Sequence, residues 1–155
     1  MDGSSGSRHQ LVALVDEVVR LGGRLKSAFA AARRDVGLGE SEFMVLNAVV
    51  EAERPPTVPR IGRSLGRPRQ LVQRAANSLE AAGLIRSVPN PDHKRAVLLI
   101  AEKKGIAIKR KADACADRIA DALGKGLDLD RVRATANALR ALRRQVEARL
   151  RAEDA

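Results

Sequence analysis

Apolar residues recur at steps of three and four along most of this chain. Leu11, Leu14, Val15, Val18, Leu21, Leu25 and Phe29 form the first such series. It predicts a long amphipathic helix from Gln10 to about Arg34. Gly22-Gly23 interrupts it. Each glycine costs about 1 kcal/mol inside a helix, so a kink or a close helix crossing is expected there. The stripe is longer than a small domain requires and is read as half of a dimer interface, with an ordinary core helix as the alternative. Next, Gly39 is a candidate N-cap with Glu42 as the return half of a capping box. Phe43, Leu46, Val49 and Val50 then give a short buried helix to about Ala52, and Glu53-Arg54-Pro55-Pro56 stops it.

Two further helices follow in quick succession. Thr57 caps the first, Pro59 sits in its first turn, and Val58, Ile61 and Leu65 share one face up to Gly66. The second opens at Pro68, turns Val72, Ala75, Ala76 and Leu79 inward, and ends near Ala82 before the C-cap signal Gly83. Two helices joined by a glycine turn predict a helix-turn-helix. Leu84–Val88 and Ala96–Ile100 read as two strands around the charged loop Pro89-Asn90-Pro91-Asp92-His93-Lys94-Arg95, a hairpin wing. From Glu102 helical periodicity returns through Ile108, Ala112, Cys115, Ile119 and Ala122. After a turn at Gly124–Asp128, a last heptad-like seam runs through Val132, Thr135, Leu139, Leu142, Val146 and Leu150. Residues Arg151–Ala155 are expected to fray. The fold class is mostly α with a small β-hairpin wing (α+β), a winged helix-turn-helix between two dimerising arms. The expected divisions are 1–9 tail, 10–36 N-terminal dimerisation helix, 37–101 DNA-binding domain and 102–155 C-terminal dimerisation helices.

Charge sharpens this picture. The chain of 155 residues carries +10, with 29 Lys or Arg against 19 Asp or Glu. Between Arg54 and Arg95 stand nine basic residues (54, 60, 63, 67, 69, 74, 86, 94 and 95) and two acids, Glu80 and Asp92, a net of +7. A polyanionic partner is implied. With no Trp or Tyr and only Phe29 and Phe43, the stacking platforms of single-strand binders are missing, which favours double-stranded DNA. No apolar run approaches a membrane span. The opening MDGSSGSRHQ has no apolar core and is read as a Gly/Ser tail with no signal peptide. The lone Cys115 permits no internal disulfide and fits a reducing cytoplasm, close to the nucleoid. It lies on an apolar stripe and reads as a buried structural thiol rather than a redox sensor. His9, His93 and Cys115 make no metal-ligand spacing. Neither metal nor cofactor is expected. No Ser-His-Asp set, carboxylate pair or glycine-rich phosphate loop suggests an enzyme.

Several segments together resemble the MarR (multiple antibiotic resistance regulator) family. They are Phe43-Met44-Val45-Leu46, Ile61-Gly62-Arg63-Ser64-Leu65-Gly66, Leu79-Glu80-Ala81-Ala82-Gly83-Leu84-Ile85, the wing Asn90–Ala96 and Ala101-Glu102-Lys103-Lys104-Gly105. The resemblance implies a homodimer built from the first and last two helices, and release of DNA by a small anionic aromatic ligand or an oxidant. Gln70, Leu71 and Gln73 stand where the family often has Ser or Thr, so no operator sequence carries over. No cysteine stands near the first helices, where oxidant-sensing relatives have one. Should an effector pocket exist, the resemblance points to Arg24, Phe29 and Phe43.

The residues that would touch DNA follow from the helix faces. With Val72, Ala75, Ala76 and Leu79 inward, Arg69, Gln70, Gln73 and Arg74 face out. Gln suits an adenine edge and Arg a guanine edge in the major groove, and Leu71 a thymine methyl. Arg67 and Arg74 are assigned to phosphates or bases, and Thr57, Arg60 and Arg63 to phosphates. Arg95 is placed in the minor groove, with Lys94 and His93 at the backbone. The expected function is a homodimeric, sequence-specific transcriptional regulator, a repressor, on a pseudo-palindromic operator. The competing reading is a nonspecific or architectural DNA-binding protein.

Overall fold

The computed structural model describes residues 9–153. The expected tail therefore lies outside the described residues except for His9, whose Nδ1 accepts the Leu11 N–H at 3.1 Å and caps the first helix. The chain forms two compact units, one up to Ala116 and one from Asp117.

In the first unit α1 spans Gln10–Ala28 and α2 Ala30–Arg34. The helix is unbroken through Gly22-Gly23, where an added Cβ would meet nothing within 4 Å. The expected interruption and close crossing at the glycines are thus corrected: the helix continues through them and breaks at Phe29. No packing acts on the glycines, and a helical glycine without a neighbour to draw it aside costs helix stability but need not bend the axis. Half-buried Phe29 and buried Ala32 instead turn the chain inward. No residue of α1 is buried, and Leu11, Val15, Val18, Leu21 and Leu25 are all exposed.

Helix α3 is Glu40–Val50, α4 is Val58–Leu65 and α5 is Arg69–Ala81. Their caps follow the sequence. Glu42 Oε2 accepts the Gly39 N–H at 2.8 Å, and Thr57 Oγ1 accepts the Arg60 N–H at 3.3 Å. Gly66 ends α4 in the left-handed region, φ 60°, a conformation glycine adopts without Cβ strain. Pro68 precedes α5 as its N-cap residue. Strands β1 (Ile85–Val88) and β2 (Leu98–Ala101) pair antiparallel, with Ile85 opposite Ala101 and Val88 opposite Leu98. The expected second strand is shifted: Ala96 and Val97 belong to the tip, because the Ala96 N–H closes a turn onto His93 O, and Ala101 replaces them. Leu99 N–H donates to Pro56 O at 2.8 Å, so the hairpin is also stitched to the segment before α4.

One core joins these elements. Val45, Leu46 and Val49 of α3 meet Val58 and Ile61 of α4, Val72, Ala75, Ala76 and Leu79 of α5, and Leu84, Ile85 and Leu99 of the hairpin. All four inward positions expected for α5 are buried. Helix α6 (Lys103–Gly124) begins in this unit. Its Gly105 lies against the Leu84 carbonyl oxygen, 2.1 Å from where a Cβ would stand. Lys109 is buried, with Nζ 2.6 and 2.5 Å from the two Asp113 oxygens and 3.4 Å from Glu51 Oε1. Cys115 is buried as expected, and its thiol donates to Asp35 Oδ2 at 3.5 Å.

The second unit holds the end of α6, a turn, and α7 (Leu129–Glu153). Asp128 Oδ1 caps α7 by accepting the Arg131 N–H at 3.0 Å. None of the residues of α7 is buried. The helix continues through Arg151–Glu153, where fraying was expected. Among the described residues, no helix is long and apolar enough to cross a membrane.

Candidate nucleic-acid interface

The turn between α4 and α5 decides which side chains reach outward. Burying Val72, Ala75, Ala76 and Leu79 leaves Arg69, Gln70, Gln73 and Arg74 exposed and Leu71 half-buried. Arg67 and Pro68, in the turn itself, are also exposed. These are the positions from which side chains of a helix lying in a major groove reach base edges.

The wing adds a second set. Its tip is built by local hydrogen bonds: Asn90 Oδ1 accepts the Asp92 N–H at 3.0 Å, and His93 Nδ1 accepts the Arg95 N–H at 3.3 Å. Such Asx-type bonding gives the loop a defined shape without secondary structure. Asp92 thus shapes the turn through its own backbone. His93, Lys94 and Arg95 are exposed.

Concave surfaces connect the two sets. A cavity of 510 Å³ is lined by Thr57, Arg63 and Arg69 on the helical side and by Asn90, His93 and Arg95 on the wing. Arg63 and Arg69 also line the next hollow, together with Arg67 and Gly66. Gln70, Leu71 and Arg74 face the first turn of α3 across a groove of 580 Å³. Arg60 stands on the other side of Thr57, with Arg54, Asn90 and Asp92. The Thr57 hydroxyl oxygen is occupied as a cap, yet its proton remains available to donate. None of these cavities is lined by Arg24, Phe29 or Phe43. Arg24 is exposed on α1, and the two phenylalanines are half-buried.

Electrostatics separates this surface from the rest of the molecule. Of the nine cations between Arg54 and Arg95, only Arg86 forms an ion pair among the described residues, with Glu102 at 2.9 Å. Elsewhere Lys26 pairs with Glu40, Lys109 with Asp113 and Glu51, Arg133 with Asp130 and Arg143 with Glu147, and the charges nearly balance, 20 basic residues against 17 acidic ones. Unmatched guanidinium groups around a concave surface favour a phosphate-rich partner.

Three supporting residues escaped the sequence reading. The Ser78 hydroxyl donates to Glu42 Oε1, tying α5 to the start of α3. That donor and the Gly39 N–H hold the Glu42 carboxyl below its ordinary range, against the opposing effect of burial. Lys104 Nζ caps the end of α5 through Ala82 O at 3.1 Å. Gln73 Nε2 donates to Asn77 Oδ1 at 2.9 Å. The Gln73 and Asn77 spacing of four was a usable signal. The other two contacts join residues far apart in sequence and had none.

The MarR family model matches residues 36–96, the stretch from before α3 to the wing. The uncharacterized protein Rv2011c of Mycobacterium tuberculosis is 34% identical over 118 residues, covering 74% of this chain and 81% of that protein. A MarR-family transcriptional regulator from Rhodococcus superposes with a TM-score of 0.77 at 20% identity, over 88% of this chain and 96% of its own. A Rhodococcus jostii protein bound to p-coumaroyl-CoA gives 0.73 at 20% identity, over 88% and 95%. Escherichia coli MarR complexed with operator DNA gives 0.73 at 19% identity, over 86% and 95%. By its winged-helix fold, by the family match across that fold and by its mycobacterial relative, this chain belongs to the MarR family, whose members are transcriptional regulators and not enzymes.

Proposed function

We propose that this chain is a homodimeric, sequence-specific repressor that reads a pseudo-palindromic operator in double-stranded DNA. Helix α5 enters the major groove, with Arg69, Gln70 and Gln73 at base edges, Leu71 at a thymine methyl, and Arg67 and Arg74 at phosphates or bases. Arg95 enters the adjacent minor groove, with Lys94 and His93 at the backbone. Thr57, Arg60 and Arg63 hold phosphates.

The observation that carries this reading is the run of unmatched cations from the α4–α5 turn to the wing tip, with two glutamines exposed among them. Cations alone fit a nonspecific coat equally well. The glutamines favour the sequence-reading function, because an amide pairs with an adenine edge and gains little from phosphate. Dimerisation is supported by apolar residues left uncovered in a single chain: Leu11, Val15, Val18, Leu21 and Leu25 on α1, and Val132, Leu142, Val146 and Leu150 on α7. Two-fold pairing then sets the half-sites about 34 Å apart, one helical turn of DNA.

A small effector completes the proposal. Similar folds have been solved with p-coumaroyl-CoA and in a study of regulation by 6-hydroxynicotinic acid. An anionic aromatic ligand held near Arg24, Phe29 and Phe43 would shift the spacing of the two reading helices.

Fluorescence anisotropy tests the central claim. Duplexes selected from genomic fragments by the full-length protein are compared with scrambled duplexes at fixed salt. A sequence-specific regulator binds its selected duplex at least about 10³-fold more tightly. Equal affinity for both overturns the reading in favour of a nonspecific coat.

A further inference from the structure

Resting on that reading, we infer that Asn77 is a positioning residue for base recognition, holding the Gln73 amide in the one orientation that selects adenine over guanine. Gln73 Nε2 donates to Asn77 Oδ1 at 2.9 Å, and both residues are exposed, one turn apart on α5. Helix stability does not account for Asn77: asparagine in a helix interior is less favourable than alanine, a cost that one (i, i+4) side-chain bond at most offsets. Here its carbonyl oxygen is turned to a side chain on the exposed face.

The consequence follows from the two purines. Adenine presents a ring acceptor (N7) and an amino donor (N6–H) in the major groove, whereas guanine presents two acceptors, N7 and O6. With one Nε2 proton given to Asn77, the Gln73 amide retains its second proton for N7 and Oε1 for the adenine amino group. Against guanine the same fixed amide sets Oε1 against O6, two acceptors facing each other. A free glutamine relieves that clash by rotating; a braced one cannot. The brace also lowers the side-chain entropy lost on binding.

The test uses the full-length protein and a duplex it selects from a random library. Every base pair in turn is exchanged between A·T and G·C, and affinities are read by anisotropy. Gln73→Ala marks the pair that Gln73 reads. Asn77→Ala is expected to reduce the adenine preference at that pair about three- to tenfold, the worth of one hydrogen bond, and to leave other pairs unchanged. Asn77→Asp keeps an acceptor one turn on. It should keep the preference while weakening binding to all duplexes, because it adds a negative charge. A helix-stabilising role alone would move thermal stability and no base preference. Full preference in Asn77→Ala overturns the inference, as does loss at a different pair, which would mean that Asn77 touches a base itself. Selection that returns no preferred duplex is a distinct result: it sinks the sequence-specific function and this inference with it.

Discussion

Glu42 joins the first turn of α3 to the last turn of α5 by accepting from both the Gly39 N–H and the Ser78 hydroxyl. Both donors favour the charged carboxylate, so its pKa lies below the ordinary 4.5. A group with a lowered folded pKa contributes stability above its unfolded pKa and loses it as pH falls through the folded value. Glu42→Gln removes the charge and leaves one acceptor oxygen for the two donors. Urea melts should therefore show the wild type ahead of Glu42→Gln at neutral pH, with the gap shrinking as pH drops below about 4.5. A gap constant with pH would refute the assignment. Gly105 gives a second residue-scale prediction. A Cβ there would stand 2.1 Å from the Leu84 carbonyl oxygen, which itself accepts the Glu102 N–H at 2.9 Å. Alanine gains about 1 kcal/mol of helix propensity but forces backbone apart, at a typical cost of about 1–3 kcal/mol. The overlap here is severe, so the clash decides the sign, and Gly105→Ala should lower the urea midpoint.

At the scale of elements, α5 is held at both ends. Its start follows the Gly66 turn, and its end is capped by Lys104 from α6. The wing is held at its base by Leu99 on Pro56, while its tip is shaped only by its own turns. The proposed base readout therefore falls to the fixed element, and the proposed groove and backbone contact to the projecting one. Arg95→Ala should weaken binding to most duplexes alike, whereas Gln73→Ala should relax preference at one base pair. Replacing Lys94 by alanine should lower the slope of log affinity against log salt by about 0.9, the share of one phosphate. A titration series in salt checks this. Much of this region was legible in the sequence, because its signals are local: Thr57 and Gly66 are stereochemical caps, and Val72, Ala75, Ala76 and Leu79 announce their shared face. The ends of β2 were not legible. They depend on a turn closing at His93 and on pairing with residues before α4.

At the scale of the whole molecule, the exposed apolar stripe of α1 is the proposed pairing surface. Because α1 contributes no buried residue, charged substitutions on it remove nothing from the folded core of one chain. Val15→Asp with Val18→Asp should therefore leave helix content by circular dichroism nearly unchanged. The same pair should convert a dimer to monomer in sedimentation equilibrium and abolish tight operator binding. A variant that remains dimeric would place the pairing surface elsewhere.

Period and composition determined the helical class, the helix-turn-helix, the hairpin and the basic surface, since each is written in neighbouring residues. The same α1 period could not tell a core helix from an uncovered one, because burial is a property of partners and not of pattern. Only the tertiary structure moved the first break from the glycines to Phe29. It also buried Lys109 between two carboxylates, tied Glu42 to Ser78 and pressed Gly105 onto Leu84. Most of these are contacts between elements distant in the chain, and their energies exist only once the core has brought them together.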